Sequence, residues 1–374
     1  MRRVSIEPQW TIRQDDGQTL SPRLLALLLA VHEKGSLAAA CLAMGASYRH
    51  AWDLVRQGEA MFGAPLLSMQ RGRGSNLTEL GARLVWADRR INARLTPALE
   101  SLASELEAEI RAVLDEAAPP LRVHASHGFA IETLFRLLGE GGMELERRYL
   151  GSHEAVVSLA NGACDIAGFH IPVGEFEAEV LARYTPWFDL RTHRVLCLAT
   201  RRQGLMVAPG NPAKIYSLRD LVRSDVRFIN RQLGSGTRLL LECMLRREGI
   251  APAAVHGFES GEFTHAAVAA FVASKMADVG FGIETPARQF GLEFIPVASE
   301  RYFLLLDERA LSKPQVQSML ALLRSDAFRL AVNRLSGYAV VDPGEVQTVA
   351  EAFAPMLQAE LANEPSPAGL ERGA

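Results

Sequence analysis

The chain is poor in cysteine, in lysine and in long apolar runs. Its four cysteines, Cys41, Cys164, Cys197 and Cys243, are scattered with no CxxC pair among them. That excludes a zinc knuckle and a disulfide framework, and it leaves reduced thiols in the cytoplasm as the expectation. The longest apolar stretch near the start, residues 24–31, is far short of the roughly 20 residues that span a bilayer. A polar, charged leader precedes it, so it is not a signal-peptide core. No membrane partner is expected. Lysine occurs only as Lys34, Lys214, Lys275 and Lys313, and arginine supplies the rest of the positive charge. No repeat of 20–50 residues recurs, which excludes a solenoid. What is present is a hydrophobic fraction of 48% in 374 residues, enough for two or three domains with ordinary cores and too much for a disordered chain.

The net charge of -3 argues at first against nucleic acid, but it is unevenly spread. Residues 1–94 hold 13 Lys and Arg against 8 Asp and Glu, a surplus of +5, which leaves -8 on the other 280 residues. A basic head on an acidic body is the balance of a DNA-binding domain joined to something else.

Segmentation supports that division. Residues 20–80 read as short helices followed by a Gly/Arg turn. Residues 80–115 carry Leu84, Ala87, Ile91, Leu95, Leu99, Leu102, Leu106 and Ile110 at spacings of three and four. As one helix this stretch would be about 50 Å long and suited to dimerisation. The other reading is two ordinary helices divided at Pro97. After Pro119-Pro120, strand-like and helix-like segments alternate, which predicts a largely parallel α/β body. The expected domains are 1–80, a linker at 80–118, a two-lobed body at 119–362 and a disordered tail at 363–374.

In the head, Ser36 reads as the cap of one helix, Gly45 as the turn, and Ser47 as the cap of the next. Ala51, Trp52 and Val55 would face the core. Ser47, Tyr48, Arg49, His50, Asp53 and Arg56 would face outward, as a recognition helix needs for base edges and phosphates. Arg71 and Arg73, in Arg71-Gly72-Arg73-Gly74, would form a basic wing. Gly35-Ser36, Ser47-Tyr48-Arg49-His50-Ala51-Trp52, Arg71-Gly72-Arg73-Gly74 and Leu77-Thr78-Glu79-Leu80-Gly81 resemble the winged helix-turn-helix of ModE-type regulators, relatives of the LysR type. The resemblance implies a symmetric dimer on operator DNA, with the helix after the wing as its seam.

In the body, polar segments sit where strands should end: Ser126-His127, Gly151-Ser152-His153, His170, and Asn230-Arg231 through Arg238. Open α/β sheets bind ligands at those edges. Gly234-Ser235-Gly236-Thr237 opens a helix whose free amides suit an anion. Ser126, Ser152, Ser235 and Thr237 add neutral donors, while Arg231 and Arg238 add charge. His127, His153, His170 and His265 lack an HExxH spacing, so no metal is expected. No GxSxG elbow accompanies the Ser-His neighbours, which argues against a hydrolase. Gly151-Ser152-His153, Gly168-Phe169-His170, Phe228-Ile229-Asn230-Arg231, Gly234-Ser235-Gly236-Thr237-Arg238, Thr264-His265 and Gly280-Phe281-Gly282 resemble the periplasmic-binding-protein-like domains fused to ModE-like heads or to molybdopterin-biosynthesis proteins. The body is also similar to molybdate- and tungstate-binding transport proteins, although its first loop, Ala125-Ser126-His127, lacks their Thr/Ser run.

The expectation is an N-terminal all-α winged helix-turn-helix with a long linker helix, followed by an α/β two-lobed, periplasmic-binding-protein-like domain. The resemblance implies a cytoplasmic transcription regulator, not an enzyme, linked to molybdenum-enzyme metabolism. Its effector would be a small anion: molybdate, tungstate, or a carboxylate such as formate, with the molybdenum cofactor as another candidate. The expected partners are operator DNA and further copies of the chain, as dimer or tetramer, with no cofactor. The competing classes are an enzyme of molybdenum-cofactor metabolism and an anion-storage module.

Overall fold

A computed structural model describes residues 3–70, 74–114 and 119–354. These fall into two compact units, one of Glu7–Thr96 with Ser274–Met276 and one of the remainder. The expected tail at 363–374 lies outside the described residues, as do Arg71 and Arg73.

In the first unit, serines and glycines set the helix limits. Helix α1 (Pro22–Lys34) starts at Ser21, whose side chain accepts from the Arg23 amide, and places proline where no helical amide is needed. Helix α2 (Leu37–Met44) is capped by Ser36, which accepts from the Ala39 amide, and ends at Gly45 with φ 62°. Helix α3 (Tyr48–Phe62) is capped by Ser47, which accepts from the His50 amide. The left-handed backbone at Gly45 is open to glycine without strain, and it turns α2 into α3. A two-stranded hairpin follows, β1 (Leu67–Gln70) against β2 (Gly74–Leu77). Buried Ser75 on β2 accepts the Leu37 amide at 2.7 Å, so the hairpin supplies a partner for the first free amide of α2. Leu24, Leu28, Leu37, Ala40, Ala51, Val55, Leu66 and Val85 form the core. Trp52 is half-buried at its edge.

Helix α4 (Glu79–Val113) runs unbroken for 35 residues with Pro97 inside it. It is one helix, and the reading of two helices around Pro97 is corrected. A proline removes one backbone donor and crowds one turn, and the helix continues through it here.

The second unit contains, in order, β3 (Leu121–Ala125), α5 (Phe129–Glu140), β4 (Leu145–Tyr149), α6 (Ser152–Ala160), β5 (Ile166–Pro172), α7 (Glu177–Leu181), β6 (His193–Val207), β7 (Phe228–Arg231), α8 (Gly236–Arg247), β8 (Gly261–Glu262), α9 (His265–Ala273), β9 (Val279–Ile283), α10 (Glu284–Gln289), β10 (Glu293–Asp307), α11 (Pro314–Leu323), α12 (Asp326–Asn333) and the short strands β11 (Tyr338–Ala339) and β12 (Gln347–Thr348). The sheet order is β4-β3-β5-β10-β6-β9-β7-β8, with β11 and β12 beside β6.

The pairing corrects the expectation of a largely parallel sheet. β3 runs parallel to β4 and β5, and β7 runs parallel to β8 and β9. The middle is antiparallel: β5 with β10, β10 with β6, and β6 with β9. Two strands are unusually long, β6 with fifteen residues, His193–Val207, and β10 with fifteen, Glu293–Asp307. Each carries a polar stretch, Arg201-Arg202-Gln203 and Ser299-Glu300-Arg301, of the kind that ordinarily ends a strand. These polar residues instead sit where the two strands pass from one lobe to the other. The first lobe packs one core on each side of its sheet, around Ile131, Leu134 and Leu304 and around Phe169, Val195 and Leu305. The second does likewise, around Leu205, Leu241 and Phe281 and around Met206, Val268 and Leu292. No single helix among the described residues is long and apolar enough to cross a membrane.

Candidate functional site

A small cavity of about 40 Å³ lies between the two lobes at the carboxyl ends of their strands. From the first lobe come Ser126 and His127 after β3, Leu150, Gly151 and Ser152 after β4, and His170 on β5. From the second come Arg231 at the end of β7 and Gln232 after it, Ser235, Gly236 and Thr237 at the start of α8, Phe263, and His265 at the start of α9. Arg201, on the passing strand β6, completes the wall. The lobes meet at the rim, where a methyl group placed on Gly151 would lie 3.7 Å from the Gly234 carbonyl oxygen.

His170 stacks on Tyr302 with ring centroids 4.0 Å apart. Its Nδ1 lies 2.9 Å from Ser126 Oγ and 3.5 Å from Ser152 Oγ. Tyr302 donates to the Ser126 carbonyl at 2.8 Å, fixing the loop that carries this serine. Gln203, fully buried, donates to Thr237 Oγ1 at 2.9 Å and to Glu300 Oε1 at 2.8 Å. Glu300 also pairs with Arg201, and both side chains are buried.

Arg231 differs from Arg201. It is 8% exposed and donates to the carbonyls of Glu262, at 3.2 Å, and Phe263, at 2.6 Å. Among the described residues no carboxylate forms an ion pair with it. Burial, with the nearby Arg201 charge, pulls its pKa down to about 9, against weaker support from Glu300 and Glu262. A buried cation without a counter-ion is costly, and an anion placed beside it recovers that cost. Burial first, then the positive charges of Arg201 and Arg231, hold His170 and His265 well below their usual pKa, so both are neutral at pH 7. Three buried polar atoms around the cavity, His170 Nε2, Gln203 Oε1 and His265 Nδ1, have no hydrogen-bond partner among the described residues.

Helices α6, α8 and α9 begin in the cavity wall with Ser152, Gly236 and His265. Ser235, the cap residue of α8, makes no side-chain capping bond, so the first amides of that helix are not satisfied that way.

Of the residues singled out in the sequence, Ser126, His127, Ser152, His170, Arg231, Ser235, Gly236, Thr237 and His265 converge here. His153, Asn230 and Arg238 do not line the cavity. His153 is exposed, its ring set edge-on to Trp187. Asn230 is a strut: its side chain donates to the Phe258 carbonyl at 3.0 Å and accepts the Arg231 amide at 2.8 Å. Arg238 points away, bonded to Glu242 at 3.0 Å and Glu259 at 2.8 Å over the ring of Phe258. One helical step from Thr237 turns its side chain off the cavity. Arg201, Leu150 and Phe263 were not singled out, and Gly151 and Gln232 lay inside the quoted segments without a role of their own. Arg201 could have been found only by recognising residues 201–203 as a buried crossing instead of a loop.

On the head, Ser47, Tyr48, Arg49, His50, Asp53 and Arg56 are exposed along α3, with Tyr48 set edge-on to Trp52 at 6.3 Å. Ser36 is half-buried and occupied as the α2 cap.

Residues 136–324 match the PBP superfamily domain, and residues 22–82 match the bacterial regulatory helix-turn-helix proteins of the LysR family. An uncharacterized Bacillus subtilis protein, YvgK, is 32% identical over 206 residues, which are 54% of this chain; the chain spans 64% of that relative's length. An uncharacterized protein encoded upstream of a ferredoxin 2Fe-2S gene in Clostridium pasteurianum is 32% identical over 111 residues, 29% of this chain and 98% of that one. Among solved structures, a peroxide-bound OxyR mutant of Corynebacterium glutamicum superposes with a TM-score of 0.42 at 14% identity, covering 84% of this chain and 94% of that one. The regulator LysG of the same organism, with bound arginine, superposes with a TM-score of 0.40 at 18% identity, covering 84% and 98%.

Proposed function

The chain belongs to the PBP superfamily and carries a LysR-family helix-turn-helix ahead of that domain, and on this premise we propose that it is a transcription regulator whose DNA binding responds to a small anion. The regulator binds its ligand and does not turn it over. The observation that carries the ligand class is Arg231, buried without a carboxylate partner in a wall where three helices begin. Helix starts and a lone buried guanidinium both favour negative charge.

Size narrows the class. A water needs roughly 10–15 Å³ of such space, so a cavity of about 40 Å³ admits a ligand of a few heavy atoms. Molybdate, tungstate or a small carboxylate such as formate meets that limit, and the molybdenum cofactor would have to extend beyond it. Ser126, Ser152, Ser235 and Thr237 would supply neutral donors, and Arg231 the charge. On the DNA side, Ser47, Tyr48, Arg49, His50, Asp53 and Arg56 would face the major groove, with Arg71 and Arg73 on phosphates. A homo-oligomer, dimer or tetramer, would present two such helices to half-sites about 34 Å apart or a multiple of that.

Calorimetry with molybdate, tungstate, sulfate and formate tests the pocket. Arg231→Gln is expected to weaken the preferred anion by about 30-fold or more, since removing one partner of a buried charge pair costs about 2–5 kcal/mol. An affinity within threefold of wild type would remove Arg231 from the site.

A further inference from the structure

Strand β4 lies at the edge of the sheet, paired on one side with β3 alone. Edge strands leave alternate backbone amides without ladder partners. Here two of those amides are taken by side chains of α4. Ser104 Oγ accepts the Arg147 amide at 2.9 Å and donates to the Leu145 carbonyl at 3.4 Å. Ser101 Oγ accepts the Tyr149 amide at 3.0 Å and donates to the Pro97 carbonyl at 2.9 Å. The match is geometric: residues three apart on a helix share a face about 5–6 Å apart, and amides two apart on a strand lie about 6.6 Å apart. Each hydroxyl has both its donor and an acceptor site in use, and Ser104 is only 2% exposed. Two ion pairs, Arg111 with Glu144 at 3.0 Å and Arg148 with Glu105 at 3.8 Å, fasten the same helix to the same part of the chain.

Strand β4 is also the strand that runs into the cavity. Tyr149, its last residue, is followed directly by Leu150, Gly151 and Ser152, all in the cavity wall. The Tyr149 ring packs edge-on against His127, another wall residue, at 5.1 Å. The Leu150 amide donates to the Ala125 carbonyl at 3.0 Å, beside Ser126. An anion that draws in Ser126 and Ser152 therefore loads the end of β4. That strand hands the load to a helix that begins at Glu79, directly after the hairpin of the head.

We propose that Ser101 and Ser104 are positioning residues that pin β4 to α4 and so couple occupancy of the cavity to DNA reading. The proposal rests on the regulator reading above and adds to it the path of regulation. Coupling between two sites typically changes affinity by about 5- to 150-fold, and it is reciprocal.

The test uses the full chain, a duplex enriched by the wild-type protein from a random pool, and molybdate and formate as probes. Duplex affinity is measured with and without each anion, and anion affinity with and without duplex. In wild type, one anion shifts duplex affinity at least fivefold. In Ser101→Ala/Ser104→Ala, duplex and anion each bind alone within twofold of wild type while the shift falls below twofold in both directions. Ser101→Thr, which keeps a hydroxyl, retains the shift, as a merely structural role would not require. Should the double variant not fold, Ser101→Ala alone, at a half-buried position, is expected to lower the shift at least threefold. A variant that keeps the full wild-type shift overturns the proposal, as does a wild-type protein that binds anion and duplex independently. A wild-type chain that binds neither probe instead removes the small-anion reading, a separate failure.

Discussion

Lowering the pH from 7 to 5 is expected to destabilise the second unit steeply. His124, His170 and His265 are 4%, 5% and 2% exposed. Burial first, and then neighbouring arginines, hold His170 and His265 well below their usual pKa and bring His124 down to about 4. His124 stays neutral in the fold at pH 5, and His170 and His265 are shifted in the same direction, whereas in the unfolded chain histidines protonate below about 6.5. Unfolding in this window takes up protons, so the stability they contribute is present above pH 6.5 and is lost as pH falls. Integrated from pH 7 to pH 5, His124 accounts for about 2 kcal/mol, and His170 and His265 add to the loss in the same direction. Against a total stability of about 5–15 kcal/mol for a domain, a loss of that size is a substantial and measurable fraction. Urea unfolding at pH 7.0, 6.0 and 5.0, followed by circular dichroism, measures the decline. In His124→Gln about 2 kcal/mol of it should vanish. A stability that is flat between pH 7 and pH 5 would refute the argument, and so would a decline of unchanged size in His124→Gln.

Two further outcomes bear on the head. Arg49→Ala should lose operator binding in gel shifts while anion calorimetry stays unchanged, and its salt dependence should flatten by about one phosphate contact; undiminished duplex affinity would remove α3 from the DNA interface. Gly81→Ala should destabilise the head by about 1–3 kcal/mol in thermal unfolding, because the added methyl would come 2.4 Å from the Leu66 carbonyl oxygen. Alanine ordinarily stabilises a helix by up to about 1 kcal/mol over glycine, so a rise in stability would show that the Leu66 turn gives way.

Local signals were the most legible part of the sequence. Ser36, Gly45 and Ser47 announced their caps and turn because capping chemistry acts over three residues. Strand β3 was legible after Pro119-Pro120 because Leu121, Val123 and Ala125 alternate with Arg122 and His124. Residues 145–149 were not read as a strand: Leu-Glu-Arg-Arg-Tyr lacks the apolar face of a core strand, and its partners on α4 are some 45 positions away in sequence. The parallel-sheet expectation failed at Arg201-Arg202-Gln203 and Ser299-Glu300-Arg301, whose polarity is matched only across β6 and β10. Within the cavity, residue types at strand ends were visible, but the direction of each side chain was not. Thr237 and Arg238 are neighbours, and only the first faces inward.

The two long central strands also bear on the order in which the chain can assemble. It leaves the first lobe near Arg201 and returns at Glu300, residues that face each other in register. The second lobe is thus one contiguous insertion with adjoining ends, and its pairings can form as soon as it emerges from synthesis. The first lobe cannot be completed so early: its β5 must wait for β10, pairing Pro172 with Glu300 across 128 residues. Such distant pairings slow folding, so the inserted lobe is expected to be structured while the half-built lobe around it still exposes the open edge of β5.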